Sequence, residues 1–151
     1  FVDGVSLFEY GKRWDDYEGP MAAGAAIVLT VSDFLIVNIH GLWQKYTKKD
    51  TKARLEQSEK IIKLANKGME KKIICGDFNL EPDTESIKMF ENLPMKNLIK
   101  EHNILSTRTS LTKKDVRFAD YMFVDNRVNI LKFQILTDEV SDHSPIYVEC
   151  I

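Results

Sequence analysis

Ile73-Ile74-Cys75-Gly76-Asp77-Phe78-Asn79 is the stretch on which the reading of this sequence turns. Ile73 to Gly76 reads as a short buried strand, and at its end the chain offers a carboxylate and a carboxamide two positions apart. In an extended backbone, positions i and i+2 share a face. Asp77 and Asn79 are therefore expected to converge on one small object while Phe78 turns back into the core. Ser141-Asp142-His143-Ser144-Pro145 is a second polar strand end, this one opening a strand. Two such ends in one chain point to a single site.

Upstream, Ala25 to Val31 and Phe34 to Ile39 are apolar, β-branched runs separated by Ser32-Asp33, a hairpin signal, and the second run delivers His40 at its end. Val5 to Tyr10 is a further candidate strand, followed by a polar, aromatic loop from Gly11 to Pro20 that holds Trp14. From Asp50 the pattern becomes helical. Leu55, Ile61, Ile62, Leu64 and Ala65 recur at helical spacing, with Asp50 as N-cap and Gly68 past the last turn. Between Lys48 and Lys72 nine basic residues face four acidic ones, which makes either a solvated helix face or a phosphate-binding one. Pro82, as a breaker, and Asp83, as N-cap, open a second helix with Ile87, Phe90 and Leu93 on one side. Lys96 to Ile104 reads equally as helix or strand. Ser106 to Lys114 is polar, and its Arg108 could touch phosphate or its hydroxyls merely cap turns. Ala119 to Val124, Val128 to Leu136 and Ile146 to Ile151 are three strands, the first two joined by the turn Asp125-Asn126-Arg127. The order predicts an α/β (α+β) domain on a mostly antiparallel sheet.

The totals bound the function. A chain of 151 residues fits one domain with its own core. A net charge of −2 excludes an indiscriminate nucleic-acid coat but not a local basic patch. Cys75 and Cys150, with no metal spacing and no disulfide framework, make a reducing compartment and the cytoplasm the default expectation. The apolar run from Ala22 to Val31 is too short to cross a bilayer.

Carboxylates, a carboxamide and imidazoles at strand ends are what metal-assisted phosphoryl chemistry needs. The set here is His40, Asp77, Asn79, Asp120, Asp142 and His143. Asp77 and Asp142 are hard oxygen ligands suited to Mg²⁺ or Mn²⁺. A histidine paired with a carboxylate gains a fixed tautomer and can activate water. Asn79 and His40 would supply donors to the phosphate.

Gly76-Asp77-Phe78-Asn79 and Ser141-Asp142-His143-Ser144-Pro145, with Val37-Asn38-Ile39-His40 before them and Phe118-Ala119-Asp120-Tyr121 between, resemble the paired signature of the endonuclease/exonuclease/phosphatase superfamily, which includes deoxyribonuclease I and exonuclease III-type nucleases. The resemblance runs from about Ala25 onward. It implies a four-layer αββα sandwich and hydrolysis of a phosphoester with a divalent cation. It further implies that His143 is the general base or touches the scissile phosphate, Asp120 orients His143, and Asp142 lies beside the metal. Asp77 would position or deprotonate the attacking water, Asn79 would bind phosphate and help orient Asp77, and His40 would contact phosphate. The substrate is expected to be a phosphoester, with nucleic acid favoured by the basic excess from Lys48 to Lys72 and by Arg108, Lys113, Lys114 and Arg117. Stacking surfaces for bases are limited to the neighbourhoods of Trp14, Trp43 and Tyr46. A small phosphoester or a lipid headgroup is the alternative.

The departure from the family is a first half that would carry a strand-end Asn and a Gln-Glu pair ligating the metal. Neither is present, and Glu56-Gln57 has the wrong order on what reads as a surface helix. The expectation is a single partial domain over residues 1–151 without its N-terminal portion. The competing expectations are a homodimer that completes the core, and a non-catalytic domain that binds a partner.

Overall fold

The computed structural model describes residues 2–6, 21–22, 24–45, 47–66, 68–113 and 115–151. Strands β1 (Val2–Ser6), β2 (Met21–Ala22), β3 (Ala25–Val31), β4 (Phe34–His40) and β5 (Trp43–Gln44) come first. Helix α1 (Lys52–Ala65), β6 (Lys71–Asp77), α2 (Glu85–Glu91), β7 (Met95–Asn97) and α3 (Leu98–Glu101) follow. The chain ends in β8 (Asp120–Asp125), β9 (Ile130–Ile135) and β10 (Ile146–Cys150). Of the expected strand from Val5 to Tyr10, only Val5 and Ser6 are in β1; the rest, with the loop from Gly11 to Pro20, lies outside the described residues. The ambiguous Lys96 to Ile104 resolves into the end of β7 and the short α3.

Six strands form one sheet in the order β1-β3-β4-β6-β8-β7, antiparallel except for the β4–β6 pair. That parallel pair follows from α1, whose length carries the chain back across the sheet before β6 begins. Strand period two sorts the side chains into faces. On one face Val37, Ile74 and Phe123 stand side by side across β4, β6 and β8, each fully buried. Ile61 and Ala65 of α1 and Ile87 and Phe90 of α2 close over them. Phe78, just past β6, meets Phe90, Tyr121 and Phe123 edge-on at 5.2, 5.5 and 5.6 Å between ring centres, the geometry aromatic quadrupoles favour.

Both helices start one residue later than their aspartates suggest. Thr51 caps α1, accepting from the Arg54 amide, and Thr84 caps α2, accepting from the Ile87 amide. The aspartates are thereby released for longer reach. Asp50 accepts from the Glu85 and Ser86 amides at 2.6 and 3.0 Å, bracing the start of α1 against the start of α2, and Asp83 pairs with Lys49 at 2.9 Å. The far cap of α1 is Asn66 rather than the Gly68 region, its amide bonding to the Ile62 and Leu64 carbonyls. The buried side of α1 also differs from the apolar stripe: Arg54, Gln57 and Ser58 lie inside with Ile61 and Ala65. Gln57 accepts from the Leu42 amide at 2.8 Å. Arg54 donates to the carbonyls of Lys49 (2.6 Å), Thr47 (2.8 Å) and Leu42 (3.4 Å), so one guanidinium ties together three carbonyls ahead of the helix.

The turn after β8 is present, with the Arg127 guanidinium on the Asp125 carboxylate at 2.7 Å, but it is a corner and not a hairpin. β9 pairs with β10 in a separate two-stranded sheet. That ribbon lays Ile130, Phe133, Ile146 and Val148 over Ile73, Met122 and Val124 on the second face of the large sheet. Helices, large sheet and small sheet make three layers. The second face is covered only in part: on β3, Ile27 and Val31 remain about half exposed.

Candidate active site

Strand register builds the site. His40 pairs with Asp77 across β4 and β6, and Asp77 pairs with Asp120 across β6 and β8. The three therefore form one row on the second face, at the end of the sheet. The next row, Asn38, Cys75 and Met122, is mixed, and the one after, Ile36, Ile73 and Val124, is apolar. Two glycines allow the backbones to close at this end. Gly41 donates to the Asp77 carbonyl at 2.6 Å, and Gly76 sits at φ 121°, where a Cβ would strike the backbone of Ile39.

His143 reaches the row from the segment before β10. Its backbone bridges Arg108, the Ser144 amide donates to the Thr107 carbonyl at 3.0 Å, and the His143 amide donates to Ser141 Oγ at 3.0 Å. Its Nδ1 lies 3.0 and 2.9 Å from the two Asp120 oxygens, and its Nε2 lies 3.9 Å from Asp77 Oδ2. Asp120 is buried, with its amide donating to Thr107 Oγ1. Burial pushes its carboxyl above the usual range and the charge of Asp77 adds to this, while the His143 hydrogen bond pulls the other way. An aspartate accepting at Nδ1 leaves Nε2 as the ring's proton acceptor, facing Asp77. Asp77, Asp120 and His143 place their ligand atoms within 4.8 Å of one another, the group among the described residues with the spacing of a metal site.

Asn79 joins this end by a route that strand alternation does not describe. It takes a left-handed conformation (φ 55°), which folds its amide back onto Asp77 Oδ1 at 2.8 Å, an Asx turn. Its side chain is buried, donating to the Gly41 carbonyl at 3.1 Å and accepting from Lys48 Nζ at 2.9 Å. Lys48 is the functional candidate that sequence reasoning did not single out. Burial brings its ammonium down to about 8, against the attraction of Asp77 and with help from the like charges of Arg108 and Arg54. One lysine in a lysine-rich stretch gives no signal of its own.

The structure thus brings Asp77, Asp120 and His143 together, with Asn79 behind Asp77 and the exposed His40 at the head of the row. Asp142 is not part of that trio. It is held at 2.8 Å by Arg108, whose side chain is 5% exposed. Arg108 is therefore next to the site but engaged. The arrangement offers a fixed imidazole acceptor, a facing carboxylate and an ammonium at one sheet end, the equipment for activating water against an anionic ester.

No family model and no curated protein sequence matches the chain. Solved structures do. A mannosyl-6-phosphatase from Bacteroides thetaiotaomicron superposes with a TM-score of 0.67 at 21% identity, over 100% of this chain and 66% of that one. An endonuclease/exonuclease/phosphatase family protein from the same organism gives 0.67 at 22% identity, over 99% and 62%. TDP2 from D. rerio, complexed with single strand DNA product, gives 0.64 at 13% identity, over 100% and 67%. The chain thus spans about two-thirds of the length of these neighbours. In fold, the chain is similar to these solved structures, one of them an endonuclease/exonuclease/phosphatase family protein.

Proposed function

We propose that the protein is a divalent-metal-dependent phosphoester hydrolase whose proton-handling groups lie in this chain. The observation that carries the reading is the His143 imidazole, held by both oxygens of Asp120 with Nε2 turned to Asp77. Fold neighbours that include a phosphatase and a DNA-complexed protein support the reaction class.

Nε2 and Asp77 Oδ2 are both acceptors, 3.9 Å apart. One water donating an O–H to each would turn its lone pair outward. As its oxygen forms the new P–O bond, its proton passes to Nε2 and the ester P–O bond breaks, the leaving oxygen taking the electron pair. Asp120 stabilises the imidazolium that results. Lys48, braced by Asn79, and the exposed His40 are the donors assigned to phosphoryl oxygens, and Arg108 sets the place of Asp142. In this reading Asn79, being buried and bonded on both ends of its amide, positions Lys48 and Asp77.

The donor chemistry fits a hard cation, Mg²⁺ or Mn²⁺, which Asp77 would hold in this chain, while Asp142, expected beside the metal, is paired with Arg108 outside the cluster. When bound, the metal would polarise a phosphoryl oxygen and stabilise the leaving oxygen. The test is hydrolysis of bis(p-nitrophenyl) phosphate and p-nitrophenyl phosphate by the full protein with each metal. His143→Ala and Asp77→Asn should each cut turnover by about 10² to 10⁴, with the unfolding midpoint unchanged. Undiminished turnover in either variant rejects the assignment.

A further inference from the structure

We propose that the cavity of about 450 Å³ lined by Trp43, Lys45, Lys48, Lys49, Glu81 and Val116 is the binding site for the non-reacting, ring-bearing part of a small phosphoester. The proposal deepens the hydrolase reading and rests on it.

Lys48 belongs to two places at once. It lines this cavity, and its ammonium reaches Asn79 at the strand-end site, 2.9 Å away. A phosphate drawn to Lys48 therefore sits where the cavity and the site meet, and its organic substituent has the cavity to enter. The volume lies in the range of small-ligand pockets. The wall chemistry is that of a ring site. Trp43 supplies a flat polarisable surface and Val116 an apolar one, suited to a sugar or a heteroaromatic ring. Lys49 is already neutralised, at 2.6 Å from Glu81 and 2.9 Å from Asp83, so the cavity is not a uniformly cationic track.

That last point separates a small ligand from a strand. Single-stranded nucleic acid is held by successive stacking platforms along a positive groove. Among the described residues, Trp43 is the one aromatic side chain lining this cavity, and a carboxylate shares the space. The walls are also preset: Arg54 fixes the carbonyls of Leu42, Thr47 and Lys49, and the Glu81 amide donates to the Lys48 carbonyl at 3.0 Å. A ligand entering pays little to order them.

Calorimetric titration of the full protein in the His143→Ala background separates binding from turnover. The probes are inorganic phosphate, ribose 5-phosphate, adenosine monophosphate and a twelve-nucleotide thymidine oligomer. At least one ring-bearing phosphoester should bind about tenfold or more tightly than inorganic phosphate, the scale of one stacking contact. Equal affinity for ribose 5-phosphate and adenosine monophosphate assigns the cavity to the sugar, and a preference for the nucleotide assigns it to the base. Trp43→Ala should abolish the advantage and Trp43→Phe should keep most of it. Val116→Trp, which fills the cavity from another wall, should abolish it with Trp43 intact. Ring phosphoesters that bind no better than inorganic phosphate overturn the proposal, as does an advantage that survives both Trp43→Ala and Val116→Trp. An oligomer that binds tenfold tighter than the mononucleotide overturns it in favour of a strand. Failure of the hydrolase reading shows separately, as hydrolysis that persists in His143→Ala.

Discussion

The two faces of the six-stranded sheet are made from the same strands, one residue out of step, and differ completely in what they do. Under the helices, Val37, Ile74 and Phe123 form a row without a polar atom, all fully buried. On the other face the rows grade from Ile36, Ile73 and Val124 through Asn38, Cys75 and Met122 to His40, Asp77 and Asp120. Stability and chemistry can occupy one strand because period two keeps their side chains apart. The apolar face holds the backbone rigid, and the polar row inherits that rigidity at the strand ends, where His40 is exposed.

The sharpest way to break this comparison is to alter neighbours in sequence that belong to opposite faces. Phe78→Ala deletes a fully buried ring with three aromatic contacts and should cost about 3–5 kcal/mol in urea unfolding. Asp77→Asn beside it should leave that midpoint nearly in place. Asp120→Asn should lower turnover by about 10² or more by releasing His143, with a change in its pH profile and with the sheet intact. If Asp77→Asn or Asp120→Asn unfolds the protein, the division between faces fails.

Lys48 gives a smaller effect with a defined pH window. Its folded-state pKa is about 8 against an ordinary 10.5, so between these values the unfolded chain binds more protons and stability rises with pH. Below about pH 8 both states are charged and the slope from this group vanishes. Wild type and Lys48→Met should therefore differ in the pH slope of their unfolding midpoint across that window alone. Phosphate affinity should fall in wild type above about pH 8 and stay level in Lys48→Arg, since the guanidinium does not titrate there.

The smallest effect is expected at Ile27, on the uncovered part of the second face. Being 52% exposed, it should lose less than about 0.5 kcal/mol on substitution by serine. A loss several times larger in the full protein would mean that this stripe is covered there, and the contrast between faces would narrow to the site end of the sheet.

Much of the site was readable because its residues announce themselves. Asp77, Asp120 and His143 stand at the ends of apolar runs, and runs of alternating or continuous apolar residues fix where strand ends fall. What alternation alone could not supply was Asn79: its left-handed backbone replaces the same-face geometry of a strand by an Asx turn. The caps depart from the expected aspartates for a related reason. Asp50-Thr51 and Asp83-Thr84 each offer two good caps in succession, and only tertiary partners, α2 for Asp50 and Lys49 for Asp83, decide that threonine takes the role. The inward side of α1 escaped because Arg54 and Gln57 are buried through hydrogen bonds to a loop whose course no local pattern encodes. Asp125 to Arg127 reads as a turn, and whether a turn closes a hairpin or changes sheets depends on the second layer.

Arg54 has an implication for how this part of the chain is specified. Ahead of α1, the carbonyls of Leu42, Thr47 and Lys49 are held by a side chain beneath them that solvent never meets. The backbone beneath Trp43 and Lys45 is thus set from below, while Lys48 keeps its station over Asn79. The course of the loop and the identity of its outer side chains are in this sense set by different residues.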